Sequence, residues 1–579
     1  MFTVNLLDTP DQEFSVFVDR ARLTIRVRYN LRLDRWTLDV SRDSVPLAQG
    51  IRMVRGVDLF LDISEISSAV YVTLTGLSLE PSAAAMTDGE MKLLFLTQED
   101  NESLLESAVE NLRDTIVEIA GAAPVQPVDR VADFALGGVR PSIVAQMQTP
   151  FYAIGDNTKS FSDLFTFARS GSAWGFQDGV LTEFPNNVPR LNNERWDGTQ
   201  WVKEGLRLES EPVTNSLLWS RDTSQAPWSG SALGVLDAVG LDGVANTAST
   251  LRDTSTTAFG LAQYVHMIPV ADSWHTVQAF FKLQPDAGDN VTRFTLQLQN
   301  GSDVERIIVY VRVADGGFVR EITLSSVADA EYWITVHDGW CQVTLSLLAS
   351  ASNGNTALVA MNHPIWSDDN TSISNVALTG ELVTDFWSIA EGWRGPHSPI
   401  LTEGSAVVRS GEDLSIDASK FPTPGVDGAS VAISGRFLNP HDGSSDITVF
   451  FNMITGNVRF QVRMDGDDRS DQEIDLALVS RNLDLEIITL DITNAFTVGV
   501  DSAFYLATTF ALDGIEFSQS GGAVASASGT LNTPWELEGV EARICWNGFN
   551  GVVSSLYFYS SEAVPVSQLP QLSNEEFLL

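Results

Sequence analysis

Short runs of alternating apolar and polar residues, separated by Gly, Asn, Asp or Ser, recur along most of this chain. Leu23-Thr24-Ile25-Arg26-Val27-Arg28-Tyr29, Phe294-Thr295-Leu296-Gln297-Leu298, Val343-Thr344-Leu345-Ser346-Leu347 and Val458-Arg459-Phe460-Gln461-Val462-Arg463-Met464 each carry apolar side chains at every second position. This pattern marks strands with one face buried and the other wet. Many such strands with turn residues between them pack as sandwiches or jelly rolls, so a mainly β fold is predicted. The chain has 579 residues, past the size at which one core keeps growing, so several domains are expected.

The pattern changes along the chain and suggests a layout. Residues 1–100 read as a small β domain. Nine arginines and no lysine fall between Arg20 and Arg55. Period two puts Arg26 and Arg28 on one sheet face, and Arg35 follows the next turn. These arginines are either a solvated face or a docking face that pairs with a neighbouring subunit's carboxylates, for which the planar guanidinium fork is suited. Residues 101–150 read as helix and linker. Ser103 and Glu106 have capping-box spacing, and Gly121 is a natural stop. Leu105, Leu112 and Ile119 lie seven apart, a stripe that either packs on the chain's own sheet or starts a short coiled coil, with a trimer as the candidate oligomer. Pro124, Pro127 and Pro141 mark the linker. Residues 151–410 and 411–579 read as two successive sandwich domains.

Charge narrows the partners. The net charge is −40, from 75 acidic and 35 basic residues, which opposes attraction to nucleic acid or to an anionic bilayer. Two cysteines, Cys341 and Cys545, imply neither a disulfide framework nor a Cys-based metal site. The opening residues lack the basic stretch and apolar core of a secretory signal, and no apolar run is long enough to span a membrane. A chain built in extracellular style but without an export signal fits a virion protein, made in the host cytoplasm and released by lysis.

Candidate chemistry is sparse. Five tryptophans fall between positions 174 and 228. Trp196 and Trp201 flank a polar turn with Glu194 and Asp197 beside them. A sugar needs flat apolar faces for its C–H side and carboxylates for its hydroxyls, so these four residues are glycan-binding candidates. The alternative is that the tryptophans cap a sandwich edge or fill a domain junction. Trp219 and Trp340 read as core. Asp465, Asp467 and Asp471 crowd an acidic loop whose oxygens suit calcium, although the spacing is not that of an EF-hand, and a solvated hairpin tip is the alternative. Otherwise no cofactor is expected. The six histidines are scattered, with no zinc motif, serine-nucleophile elbow or nucleotide loop, so no catalytic residues are assigned.

Three stretches resemble known families. Arg28-Tyr29-Asn30, Arg35-Trp36-Thr37-Leu38-Asp39-Val40, Pro46-Leu47-Ala48-Gln49-Gly50-Ile51 and Val54-Arg55-Gly56-Val57-Asp58-Leu59 follow in the order of the small baseplate plug domain of tailed phages. Phe165 to Ser170, Pro189-Arg190-Leu191, Leu206-Arg207-Leu208-Glu209, Asp338-Gly339-Trp340 and Ser398-Pro399-Ile400, with the segment ending at Arg409, resemble carbohydrate-binding jelly rolls of phage tail proteins. Asn550-Gly551-Val552-Val553 to Tyr559 is similar to the last strand of concanavalin-like or laminin-G-like sandwiches. These resemblances imply a virion structural protein that docks on other baseplate or tail proteins through residues 1–100. They imply that its sandwiches contact a host-surface glycan or receptor. A tail-associated polysaccharide depolymerase and a purely architectural baseplate protein are the alternatives.

Overall fold

The computed structural model describes residues 2–6, 9–18, 21–30, 35–42, 45–53, 59–60, 69–74, 91–96, 131–267, 272–300, 303–323, 329–349, 357–366, 379–420, 428–438, 447–455, 458–465, 473–481, 487–497, 500–511, 514–528, 541–560 and 562–575. The chain divides into two compact units, Met1–Val128 and Asp129–Leu579. Both are β-structures, as the alternation predicts. The predicted helix, with Leu105, Leu112 and Ile119, lies outside the described residues.

In the first unit a four-stranded antiparallel meander runs through Asp11–Val18, Ala21–Asn30, Arg35–Arg42 and Val45–Arg52. A second sheet orders Phe2–Asn5, Met91–Leu96 and Ala69–Leu74, so the start and end of the domain pair directly. Leu23, Ile25, Val27, Leu38 and Val40 point inward and share one core with Val70, Val72, Leu93 and Phe95. Period two therefore turns Arg26, Arg28 and Arg35 to the opposite, outer face.

The second unit is a sandwich inserted into a sandwich. The outer one stacks a ten-stranded sheet on a seven-stranded sheet. Strand Asn550–Tyr559 is central to the larger sheet: Ser555 to Phe558 pair with Ile143–Gln146, and Asn550 to Val553 pair with Leu206 to Glu209. Ala429–Leu438 lies along its other edge. Phe437, Phe450, Phe504 and Phe549 fill the space between the two sheets. The inserted sandwich packs two six-stranded sheets around Phe281, Phe294, Leu296, Val343 and Trp387. Its entry and exit strands, Val213–Asn215 and Val407–Arg409, pair antiparallel, so the insertion leaves the outer sandwich and returns to it at one place.

This topology corrects the predicted layout. Residues 143–146, expected in a linker, form a fully buried strand of the outer sandwich. The expected boundary at 410/411 cuts through sheets instead of separating them: Thr166–Ala168 pairs with Asp413–Ile416, and Leu206 pairs with Val553. Alternation identifies a strand but not its partner, and here the partners lie hundreds of residues apart. Trp340 is buried as predicted. Trp219 is only half-buried and sits in a bend with φ +59°, not in a strand.

Candidate functional site

The predicted docking arginines lie on the outer face of the first unit's meander. In the first unit Arg26 makes a two-pronged contact with Asp11, its Nε donating to Oδ1 at 2.8 Å and its Nη2 to Oδ2 at 2.5 Å. Arg28 Nη2 donates to Asp39 Oδ2 at 2.6 Å. The Arg26 guanidinium holds the Asp11 carboxyl below its ordinary range. The Arg26–Asp11 pair is solvent-exposed, where such a contact is worth little to stability, whereas the Arg28–Asp39 pair is partly buried on the Asp39 side. Arg35 is exposed on the same face, and Phe17 stands 72% exposed at its corner.

In the second unit Trp196 and Trp201 face each other across the hairpin formed by Arg190–Trp196 and Trp201–Glu209. Their rings meet edge to face at 5.7 Å. Trp201 lies 4.9 Å from Phe176 and parallel to His337 at 6.3 Å. A neighbouring hairpin turns through Asp178 and Gly179, both left-handed, and presses on the Trp201 indole: a Cβ at Gly179 would lie 2.8 Å from Nε1. Trp201 therefore fills a junction between segments. Glu194 is buried and accepts from Gly179 N–H at 2.9 Å. Asp197 is exposed, but its Oδ1 accepts from Thr199 N, Thr199 Oγ1 and Gln200 N, and these bonds hold its pKa down at about 2. Of the four candidates only Glu194 lines the cleft described next. In the predicted calcium loop, Asp465 ends strand Val458–Asp465, while Asp467 and Asp471 lie outside the described residues. Among the described residues no group of His, Cys, Asp or Glu is arranged to hold a metal ion, and no helix is long and apolar enough to cross a membrane.

The cleft opens between the inserted and outer sandwiches and has a volume of about 180 Å³. One wall comes from strand Asp329–His337. Tyr332, Ile334 and Val336 pack on the insertion's core, which leaves Trp333, Thr335 and His337 to line the cleft. Trp174 and Phe176 line it from the Ala173–Gln177 hairpin strand. The facing wall carries Arg195, Glu204, Arg436, Asp501 and Asn550. These groups are already paired: Arg195 Nε donates to Glu204 Oε1 at 2.5 Å, and Arg436 Nε to Asp501 Oδ2 at 2.8 Å. His337 is stacked on Phe176 at 4.7 Å, and burial lowers its pKa to about 4.

Beneath the cleft lies a set of buried charges that sequence reasoning missed. The side chains of Arg169, Arg190, Glu209 and Glu412 have no exposed surface, and Arg409 is almost as deep. Glu412 accepts from Arg169 Nη1 at 2.7 Å and from Arg190 Nη2 at 2.6 Å. Arg190 Nη2 also donates to Glu209 at 2.9 Å. Ser398, a cleft residue of the insertion, donates its backbone N–H to Glu209 at 2.8 Å. Burial opposes ionisation of Glu209, but Arg409, Arg190 and Arg207 outweigh it and hold the carboxyl well below its usual range. The cluster ties the two crossing points of the chain together, so the side of the cleft formed by Ser398 is fixed relative to the outer sandwich. Arg169, Arg190, Glu209 and Arg409 lie far apart in the sequence. Their types gave no hint of burial, because isolated charges usually mark solvated positions.

Comparison with known proteins speaks to the first unit. Residues 1–98 match the family model described as cyanophage baseplate Pam3 plug gp18. No curated protein matches the chain. Solved structures with local likeness include the Ruminococcus gnavus IT-sialidase CBM40 (14% identity, 26% of this chain, 84% of that one, TM-score 0.21). The tandem CBM22 domains of Paenibacillus barcinonensis Xyn10C match at 10% identity over 61% of this chain and 98% of theirs, TM-score 0.20. Mouse laminin α1 domains LG4-5 match at 10% identity over 52% of this chain and 86% of theirs, TM-score 0.16. At these TM-scores the likenesses carry no weight for ligand or activity.

Proposed function

We propose that a chain whose first 98 residues match a baseplate plug family is a structural protein of a phage tail tip or baseplate. It docks there through its N-terminal unit and presents the double sandwich for attachment to host-surface glycans. The plug match carries this reading. The arginine face supports it, since the exposed Arg26–Asp11 pair can be re-formed with a neighbouring protein's acids. The aromatic and polar cleft supports the attachment role. Adhesion would come from many weak contacts on one particle, since linked sites gain effective concentration.

The cleft suits holding a sugar more than cleaving one. Glycosidic cleavage needs two carboxyl groups free to work on opposite sides of one bond. Here Glu204 and Asp501 are each engaged by an arginine, and Glu194 by a backbone N–H. The decisive assay incubates purified full-length protein with host envelope polysaccharide. Retention on the polysaccharide without change in its chain length is expected, whereas falling chain length would replace the adhesin with a depolymerase.

A further inference from the structure

We propose that the cleft between the two sandwiches binds a neutral sugar of about one or two pyranose rings. This rests on the host-glycan reading above and narrows it to one place and one ligand chemistry. The volume of about 180 Å³ has room for on the order of a dozen waters. A site of that size takes a short glycan end better than the middle of a long chain.

The lining has the two surfaces that a pyranose presents. Trp174 and Trp333 offer apolar surface to ring C–H groups. A sugar hydroxyl both donates and accepts. Arg195 with Glu204, and Arg436 with Asp501, place donors and acceptors side by side to match it.

A buried nitrogen points to a ligand independently. His337 lines the cleft and is 8% exposed, and among the described residues nothing hydrogen-bonds its Nδ1. Its Nε2 meets Gln342 Oε1 at 3.3 Å, and Phe176 covers its ring. Buried polar atoms left without a partner cost stability, so most are satisfied. A sugar hydroxyl entering the cleft would supply the missing bond.

Charge selects the class of sugar. An acidic sugar brings a carboxylate or sulfate that needs a cation. Each arginine lining the cleft has a partner at its side, Glu204 for Arg195, Asp501 for Arg436 and Asn550 for Arg207 at 2.7 Å, so an acidic sugar would meet the Glu204 and Asp501 carboxylates together with the guanidiniums. The chain's net charge of −40 adds long-range repulsion against an anionic glycan. A neutral sugar meets neither obstacle.

The test uses the full chain on an array of neutral, sialylated, uronic and sulfated glycans, followed by titration calorimetry with the hits. Thr335→Trp fills the cleft from an exposed strand position without removing a core side chain. His337→Phe keeps the stacked ring but loses both nitrogens. Wild-type protein should bind neutral glycans with an affinity insensitive to salt. Each variant should remain folded with a single cooperative melt and bind at least about tenfold more weakly. Wild-type binding that both variants keep would remove the cleft from this account and leave the host-glycan reading standing. Hits confined to acidic glycans would overturn the neutral-sugar assignment. Array-wide silence from wild-type protein would sink the host-glycan reading and the cleft together.

Discussion

Glu412 sits between two guanidiniums, those of Arg169 and Arg190, with no exposed side-chain surface on any of the three. Removing one partner from a buried ion pair leaves charge without compensation, a loss of about 3–5 kcal/mol. Glu412→Gln keeps the shape and removes the charge. Urea denaturation should show the transition of the Asp129–Leu579 unit weakened by roughly that amount, and a loss near zero would mean that water or another anion screens the arginines. Buried histidines give the same unit an acid limit. Burial lowers His337 and His397 to about 4 and His363 to about 3, against an ordinary value near 6.5. The unfolded chain therefore binds more protons than the folded one below pH about 6.5. Stability is full above that pH and falls until these histidines also titrate in the fold. Each costs on the order of 3 kcal/mol, at roughly 1.4 kcal/mol per pH unit. Melting temperature should be flat above neutrality and drop steeply between pH about 6.5 and 4. Mutating any one of the three to a neutral residue of similar size should shallow the drop.

Single glycines mark where strands meet. Gly205 has φ +127°, and a Cβ there would lie 2.2 Å from the carbonyl oxygen of Val553, in the strand it helps to pair. Gly138 also has positive φ, +88°, but a Cβ would meet nothing within 4 Å. Gly205→Ala should therefore cost roughly 3 kcal/mol or more through a forced backbone shift, and Gly138→Ala about 1–2 kcal/mol through conformation alone. Equal losses in thermal melts would mean that the pairing of Leu206 with Val553 is not as tight as the geometry shows. The strands themselves were legible. The alternating runs at 294–298, 343–347 and 458–464 fall within strands Val291–Asn300, Trp340–Leu348 and Val458–Asp465. The site was less so. Trp196 and Trp201 stood out as aromatic residues in a polar turn, yet Trp201 is taken up by packing on Phe176 and His337. Trp333 went unnoticed, and His337 counted only as one of six scattered histidines. Their side of strand Asp329–His337 faces the other sandwich, and alternation cannot say what a strand's second face meets.

At the scale of the molecule, connectivity decides what can fold alone. Strands from residues 143–209 and 429–559 share one sheet, and the inserted sandwich hangs between them on a paired entry and exit. A fragment of residues 151–410 and a fragment of residues 411–579 should each be insoluble or molten when expressed alone, because each carries part of the outer sandwich. The intact 129–579 unit should fold. Two independently stable halves, each with sharp amide NMR spectra, would contradict the insertion topology. The proposed function follows polarity along the chain: the unit whose first 98 residues match a baseplate plug model comes first and the acidic double sandwich second. A density map of the assembled particle tests this most directly. The account predicts residues 1–98 packed against neighbouring tail proteins, with Arg26, Arg28 and Arg35 facing their carboxylates and the cleft of the double sandwich open to solvent. A map with residues 1–98 free in solvent and the double sandwich buried among its neighbours would contradict it.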